Sequence, residues 1–249
     1  RRVNRFERYA VYYTPAPGSS LWRLAAAWLG RDAATGEALA RPPVPGLENV
    51  NLDRLTAGPR HYGFHATLKA PFEPLRTDVE AELLAAVDTF ARHRSPFDVR
   101  FEVAPLGDFM ALRLAEDSAA MKELHWDCVR DLDAFRAPIS PGDLNRRRKA
   151  RLTPDQDAYL VQWGYPYIFD QFRFHMTLTS RIACKGSQAP IREALAALFA
   201  PELAQPHRVE GVALFGQVDR SAPFRVLEWF AFRGERALDG LRPKPAASA

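Results

Sequence analysis

Cysteine is scarce in this sequence, and no apolar run is long enough to cross a membrane. Among 249 residues there are two cysteines, Cys128 and Cys184, too few for a disulfide framework or for a zinc site built on cysteines alone. A membrane-spanning helix needs about 18 to 20 successive apolar residues, whereas the apolar stretch 21–29 is short and contains Arg23. No signal-peptide pattern stands at the start of the sequence. We therefore expect a cytoplasmic protein without a membrane segment.

The strings that mark several common catalytic chemistries are also missing. The sequence contains no Gly-x-x-x-x-Gly-Lys-Ser/Thr phosphate loop, no Gly-x-Ser-x-Gly nucleophile elbow and no His-Glu-x-x-His metal motif. These absences argue against a P-loop nucleotide enzyme, an α/β-hydrolase and a zinc peptidase. We therefore expect neither a cofactor nor a metal site.

The composition is that of a globular protein with a mild basic excess. Hydrophobic residues make up 47% and charged residues 26% of the chain, and the formal net charge is +4. A chain of this length buries a substantial core. The positive charge favours a small anionic ligand such as a phosphate, but it is too small to indicate nucleic-acid binding by itself.

One short string occurs twice. Phe-His-x-Thr-Leu is found at residues 64–68 and again at residues 174–178. Random placement of these residue types predicts about 0.02 His-x-Thr-Leu strings in the chain. In each half the string lies on a predicted strand that is followed by a helix and two further strands, with an apolar-Gly turn at Gly107 and at Gly216. The sequence therefore predicts an α+β fold that contains an internal duplication.

Strand geometry places the polar members of each string on one face. Alternate residues of a strand point the same way, so the phenylalanine and leucine of each string face a core. The opposite face carries a histidine, a threonine and a cation in each copy. These candidates are His65, Thr67 and Lys69 in the first copy, and Arg173, His175 and Thr177 in the second. We add Tyr13, from the Tyr12–Tyr13 pair of the first strand, as a further substrate-binding candidate.

Two histidines suit the opening of a cyclic phosphodiester. The reaction needs one group to deprotonate water and another to protonate the leaving alkoxide, and imidazole does both near neutral pH. His65 and His175 are the predicted catalytic pair, although the sequence does not tell which is the base. Hydroxyls of Thr67 and Thr177 are placed to donate hydrogen bonds to the phosphoryl oxygens. A single histidine would more often be structural, and both threonines are also good strand formers.

The paired strings resemble those of the two-histidine (2H) phosphoesterase superfamily. Further strings resemble a bacterial family within it that is often encoded beside carbon–phosphorus lyase genes and is associated with phosphonate metabolism. These strings are residues 8–13, 62–72, 135–138, 151–154, 163–167 and 172–178. The resemblance implies one bilobal domain, with an antiparallel sheet and flanking helices in each lobe and the active-site cleft between them. We expect lobe 1 at about residues 8–115, lobe 2 at about 116–235, and a frayed tail at 240–249. The resemblance also implies a cyclic ribose phosphate as substrate.

Two alternatives stay open. The same site is suited to a 2′,3′-cyclic phosphodiesterase or ligase-like enzyme acting on RNA ends. A non-catalytic phosphate- or RNA-binding module is the other alternative, and it rests on the basic run at residues 146–149. That run is either a solvated face or a cover over an anionic substrate. The sequence does not indicate the oligomeric state.

Overall fold

Helices and antiparallel strands alternate along the chain, and the predicted α+β class is confirmed. The structure is a computed structural model, and it describes residues 5–235. The strands are β1 Arg8–Tyr13, β2 Ala66–Phe72, β3 Phe97–Val99, β4 Phe101–Leu106, β5 Phe109–Leu114, β6 His175–Thr177, β7 His207–Val209, β8 Gly211–Gln217 and β9 Arg225–Ala231. The helices are α1 Ser20–Leu29, α2 Leu52–Tyr62, α3 Glu80–Arg92, α4 Ala119–Asp131, α5 Pro141–Arg148, α6 Pro154–Trp163 and α7 Gln188–Leu203.

The sheets mix strands from both halves of the sequence. A four-stranded sheet has the order β2-β1-β8-β9, a three-stranded sheet has the order β4-β5-β6, and β3 pairs with β7. The hairpin that follows the second string, β8–β9, thus extends the sheet of the first string. The β4–β5 hairpin, which follows the first string, pairs with the strand of the second. The predicted lobes, 8–115 and 116–235, therefore do not correspond to the four-stranded and the three-stranded sheet.

The two strands that carry the repeated strings meet in space. β2 is the edge strand of the four-stranded sheet, and β6 is the edge strand of the three-stranded sheet. The two strands lie against each other. Because both are edge strands, each has one side that is not occupied by a neighbour in its own sheet. This arrangement brings the two histidine strings to one seam between the sheets.

The apolar members of both strings are buried, as strand alternation predicts. Phe64, Leu68, Phe174, Met176 and Leu178 all belong to the main hydrophobic core. The histidines and threonines between them are partly buried. The core thus fixes the backbone of each string, while its polar side chains stay within reach of a ligand.

Helix α2, Leu52–Tyr62, begins within the proline- and glycine-rich region 31–59. Asn51 caps its start by accepting a hydrogen bond from the amide of Arg54. Pro59, in its last turn, has no N–H to donate to the carbonyl of Leu55. That carbonyl instead accepts a bond from the amide of Ser180, at 2.6 Å. Long-range pairing thus satisfies the group that proline leaves free, which a local pattern does not reveal.

Two other expectations need comment. Gly107 forms the predicted turn between β4 and β5, with φ +61°, but Gly216 lies within β8 and pairs with Tyr9 and Arg225. The turn of that hairpin comes later, at residues 218–224. The predicted frayed tail, residues 240–249, lies outside the described residues. Within residues 5–235, no helix is long and apolar enough to span a bilayer.

Candidate active site

The end of helix α2 anchors His65. Gly63 ends the helix with φ +83°, a conformation that favours glycine. A Cβ atom added to Gly63 would lie 2.6 Å from the Cβ atom of Ala33, so a larger residue does not fit. The carbonyl of Gly63 lies 2.9 Å from Nδ1 of His65. The helix end therefore fixes the orientation of this imidazole.

His175 is anchored in the same way. Its Nδ1 lies 2.7 Å from the carbonyl oxygen of Arg173, again two residues earlier in the chain. A carbonyl oxygen only accepts hydrogen bonds, so in both rings Nδ1 carries the proton. In the neutral ring, Nε2 is then the unprotonated nitrogen. Two rings with the same anchor and the same unprotonated nitrogen are the chief observation at this site.

Long-range hydrogen bonds hold the second string in place. The indole N–H of the fully buried Trp28 donates to the carbonyl of Leu178, at 2.8 Å. The Thr179 hydroxyl accepts a bond from the amide of Met110, at 2.9 Å, and the Ser180 hydroxyl accepts one from the amide of Gly58, at 2.9 Å. Helices α1 and α2 and strand β5 thus converge on the segment that follows His175.

Both threonines lie beside the histidines. Thr67 Oγ1 is 3.4 Å from Nε2 of His65, which is a long and weak hydrogen bond. Thr177 ends β6 and pairs with Ala111 of the neighbouring strand. Each threonine is two residues after its histidine and is partly buried. Their hydroxyls are therefore available to a ligand that reaches the imidazoles.

The imidazoles are neutral in the resting protein at pH 7. Burial lowers the pKa of His65 to about 4, although the bond to the Gly63 carbonyl acts in the opposite direction. The charge of His175 lowers the pKa of His65 further, which indicates that the rings lie within electrostatic range of each other. Burial also lowers the pKa of His175, and the nearby Arg113 adds to this effect. A neutral imidazole is ready to accept a proton, and a bound anion between the rings favours protonation of one of them.

Tyr12, and not the predicted Tyr13, faces the first histidine. The Tyr12 ring stacks on the His65 ring with centroids 3.8 Å apart. Tyr13 points to the other side of β1, into the main core, where its hydroxyl bonds His207 Nε2 at 2.6 Å. Tyr12 pairs with Thr67 in the sheet, which puts both side chains on the same face. We therefore replace Tyr13 by Tyr12 in the candidate site.

Lys69 also departs from the predicted face. The pairing of β1 with β2 has a register shift between Val11 and Tyr12, so that Thr67 lies opposite Tyr12 while Lys69 lies opposite Val11. A bulge of this kind breaks the alternation of side chains. Lys69 is 3% exposed, and its Nζ contacts the Asp133 carboxylate at 2.8 Å and the Val129 carbonyl at 3.2 Å. It is a buried structural cation, and we do not keep it as a substrate contact.

Arg173, the cation predicted beside the second string, lies at the surface. Arg173 is exposed, while its carbonyl anchors His175. Within the described chain its guanidinium has no carboxylate within ion-pair distance, so it stays available to an anion. Beside it on the adjacent strand, Arg113 pairs directly with His175 in the sheet. The surroundings of His175 are therefore more cationic than those of His65, which are aromatic.

The arginines of the basic run at residues 146–149 have two different kinds of surroundings. Arg146 and Arg148 point outward and form ion pairs with Asp143 and Asp157 at 2.6 and 2.7 Å. Arg147 is partly buried and lies over the ring of Tyr165, with Cζ 4.9 Å from the ring centroid. The positions of a helix fix this division, since adjacent residues point in different directions. No signal in the sequence pattern separates Arg147 from its neighbours.

The chemistry of the site rests on nitrogen and hydroxyl groups. Across residues 5–235, no group of three or more histidine, cysteine, aspartate or glutamate side chains is placed to hold a metal ion. The two histidines, the two threonines and Tyr12 make up the candidate site.

Comparison with known proteins identifies the family. The chain belongs to the family described as "Protein of unknown function (DUF1045)", whose sequence model matches residues 67–225. It is 36% identical over 238 residues to a protein of Janthinobacterium sp. (strain Marseille) named ribose 1,5-bisphosphate phosphokinase PhnN, covering 92% of this chain and 52% of that protein. A protein of the same name from Laribacter hongkongensis (strain HLHK9) is 37% identical over 233 residues, or 93% of this chain and 54% of the relative. The chain thus spans about half the length of these curated relatives.

Among solved structures, the chain is similar to TT0787 of Thermus thermophilus. The alignment covers 92% of this chain and 100% of that one, with 15% sequence identity and a TM-score of 0.42. A likeness of this degree carries no argument about activity, so the functional proposal below rests on the site itself and on the sequence relatives.

Proposed function

We propose that the protein is a metal-independent phosphoesterase that hydrolyses the cyclic phosphodiester of a small sugar phosphate. His65 and His175 are its acid–base pair. The observation that carries this proposal is the shared anchor of the two rings. In each, Nδ1 donates to a carbonyl two residues earlier, which leaves Nε2 unprotonated. A pair of structural histidines has no need of the same tautomer and the same orientation on two strands that meet.

The reaction uses the two rings in opposite protonation states. Nε2 of one neutral imidazole takes a proton from water as the water oxygen attacks phosphorus. Nε2 of the other, protonated after the anion binds, gives its proton to the leaving sugar oxygen as the P–O bond breaks. One water is added, and the two histidines have exchanged protonation states. Thr67 and Thr177 donate hydrogen bonds to the non-bridging oxygens, where negative charge increases in the transition state.

The name of the sequence relatives favours a ribose substrate. Both are named as ribose 1,5-bisphosphate phosphokinases, yet this chain has no P-loop string that would bind a nucleotide. Hydrolysis of a 1,2-cyclic phosphate of ribose 5-phosphate, with cleavage of the bond between phosphorus and O2, gives ribose 1,5-bisphosphate. The proposed reaction thus yields the compound that the name of the relatives calls a substrate. We place it in phosphonate catabolism, in line with the family resemblance of the sequence.

The test is turnover of defined cyclic phosphates without metal. The EDTA-treated protein is incubated with ribose 1,2-cyclic phosphate, its 5-phosphate and a nucleoside 2′,3′-cyclic phosphate, and phosphorus NMR follows ring opening. We expect turnover that survives EDTA and decreases by about 10²- to 10⁴-fold in His65→Ala and in His175→Ala. His93, at the end of α3 and away from the two strings, supplies the matched control, and His93→Ala is expected to keep full activity. Loss of turnover with EDTA, or full activity in either histidine variant, would refute the mechanism.

RNA ends are the competing substrate, and salt distinguishes the two. An RNA chain that contacts several phosphates binds with a steep dependence on salt concentration, whereas one small sugar phosphate shows a shallow one. We expect KM for the sugar phosphate to change little between low and moderate salt. A strong preference for an oligonucleotide 2′,3′-cyclic end, with a steep salt dependence of KM, would favour the RNA enzyme instead.

A further inference from the structure

A group of tyrosines and arginines surrounds the outer side of His65. The Tyr12 ring stacks on His65, and the Tyr62 ring lies 6.0 Å from His65 between centroids. Tyr62 also stacks on Phe224, at 5.3 Å and with an interplanar angle of 18°. Arg8, on the strand that carries Tyr12, lies over the other ring of this stack, with Cζ 5.5 Å from the Phe224 centroid. A continuous cluster of aromatic rings thus leads from the first histidine to an arginine.

Arg8 and Arg147 line one small cavity. Its wall also contains Arg136, Ser140, Glu73 and Asp143, and its volume is about 30 Å³. A cavity of this volume has room for water but is too small to enclose a phosphate group.

These two arginines differ from the other cations nearby in having no carboxylate partner. Arg136 is bound to Asp133 at 2.8 Å, and Arg220 to Glu73 and Asp143 at 2.6 and 2.8 Å. The acids of the cavity wall are therefore already neutralised. Within residues 5–235, Arg8 and Arg147 make no ion pair at all. Arg8 donates to the Gln217 side chain at 2.7 Å, and Arg147 lies over Tyr165.

The Tyr12 hydroxyl is the third free group. Tyr9 and Tyr13, on the opposite face of β1, bond Glu80 and His207 at 2.6 Å each. The Tyr12 hydroxyl has no hydrogen-bond partner in the part of the chain that the structure describes. Burial raises the pKa of Tyr12, and both Arg8 and Arg147 act on it electrostatically in the opposite direction. Two guanidinium groups without a carboxylate partner and the Tyr12 hydroxyl form a set suited to a phosphate.

We propose that Arg8 and Arg147 bind a second, exocyclic phosphate of the substrate, so that the site accepts a cyclic phosphate of a sugar phosphate in preference to a simple cyclic ester. This inference rests on the proposed function. The surroundings of Tyr12 support it, because its ring stacks on His65 while Arg8 and Arg147 both act on it electrostatically. A nucleoside cyclic phosphate would instead have to place an uncharged base against these cations.

Direct binding tests the second phosphate subsite without turnover. Ribose 5-phosphate is titrated calorimetrically into the wild-type protein and into Arg147→Ala, Arg8→Ala and Arg148→Ala. A charge-assisted hydrogen bond to a phosphate corresponds to a change of about 10- to 100-fold in Kd, and we expect a loss of this size in the first two variants. Arg148 comes next on the same helix and is bound to Asp157 at 2.7 Å. Arg148→Ala therefore removes one positive charge while leaving the proposed subsite intact, and its Kd is expected to match the wild type.

Kinetic specificity provides the second measurement. The ratio of kcat/KM for the 1,2-cyclic phosphate with a 5-phosphate to that without it is measured for each variant. We expect this ratio to fall by about 10- to 100-fold in Arg8→Ala and Arg147→Ala, and to be partly restored in Arg147→Lys, which keeps the charge but loses the bidentate grip. Urea midpoints within error of the wild type exclude misfolding as the cause.

The outcomes separate this inference from the proposed function. Wild-type protein that does not bind ribose 5-phosphate, or binding and preference unchanged in Arg8→Ala and Arg147→Ala, would overturn the subsite even if the cyclic ester is opened. Binding that needs both arginines, in a protein that opens no cyclic phosphate, would support the subsite and overturn the cyclic phosphodiesterase. An equal loss on both substrates would place the arginines at the cyclic ester and overturn the inference.

Discussion

Replacement of Lys69 and replacement of Asp133, which form a buried ion pair, are expected to lower the stability of the protein by different amounts. In Lys69→Met, the Asp133 carboxylate keeps both of its bonds to Arg136, at 2.8 and 3.0 Å. In Asp133→Ala, the Lys69 ammonium stays buried with only the Val129 carbonyl, at 3.2 Å. An unpaired buried charge costs about 3–5 kcal/mol, whereas replacement of a buried ion by an apolar side chain is often neutral. We expect Asp133→Ala to lose about 3 kcal/mol or more and Lys69→Met about 1 kcal/mol or less.

Urea titration at pH 7 measures both losses, and the double variant completes the cycle. Because Lys69→Met removes the charge that Asp133→Ala leaves unpaired, the double variant is expected to be more stable than Asp133→Ala alone. Arg136 loses its carboxylate in both proteins, so this comparison isolates Lys69. Equal losses in the two single variants, or no recovery in the double variant, would refute the account of the pair. A KM for the cyclic phosphate that rises more than about tenfold in Lys69→Met would restore this lysine to the substrate site.

Three further predictions concern the histidines and their anchors. An alanine at a position with positive φ costs roughly 1–2 kcal/mol of backbone strain. In urea titrations, Gly63→Ala is expected to lose more stability than this, because its added Cβ has no room. Gly18 has φ +83° and open space around it, so Gly18→Ala is expected to lose only the strain energy. Arg113→Gln removes a charge that lowers the pKa of His175, so one limb of the kcat/KM profile is expected to move to higher pH, while Arg113→Lys leaves it in place. The pKa of His65 is about 4 in the folded protein and about 6.5 in an unfolded chain, so stability is expected to fall by up to about 3 kcal/mol as pH decreases from about 6.5 to about 4. In urea titrations over this range, His65→Asn should lack that part of the decrease.

The sequence pattern predicted the features that depend on neighbours within a few residues. Helix caps are features of this local kind: Ser19 accepts a bond from the amide of Trp22 at the start of α1, and Thr153 and Gln156 form a capping box at the start of α6. The repeated strings bury their apolar residues because alternation along a strand is a local rule. The same rule puts His65 and Thr67 on one face, and the structure agrees.

Features that depend on pairing partners were not predictable. Alternation alone does not tell whether Tyr12 or Tyr13 faces His65, because that depends on which strand residue lies opposite. The register shift beside Val11 then reverses the expected direction of Lys69. The exchange of hairpins between the halves has the same origin. Each half contains a strand with the repeated string and a hairpin, and no local signal tells that the hairpin joins the sheet of the other half's string.

The two histidines are equivalent in anchor but different in surroundings. The repeated string carries its own anchor, since the carbonyl that fixes each ring lies two residues earlier in the chain. The neighbours come from other strands: Tyr12 of β1 stacks on His65, whereas Arg113 of β5 pairs with His175. The repeated string therefore supplies two equally anchored imidazoles, and the neighbouring strands supply the asymmetry. In the proposed reaction, an asymmetric substrate binds in one orientation, and that orientation decides which histidine accepts the proton of water and which protonates the leaving oxygen.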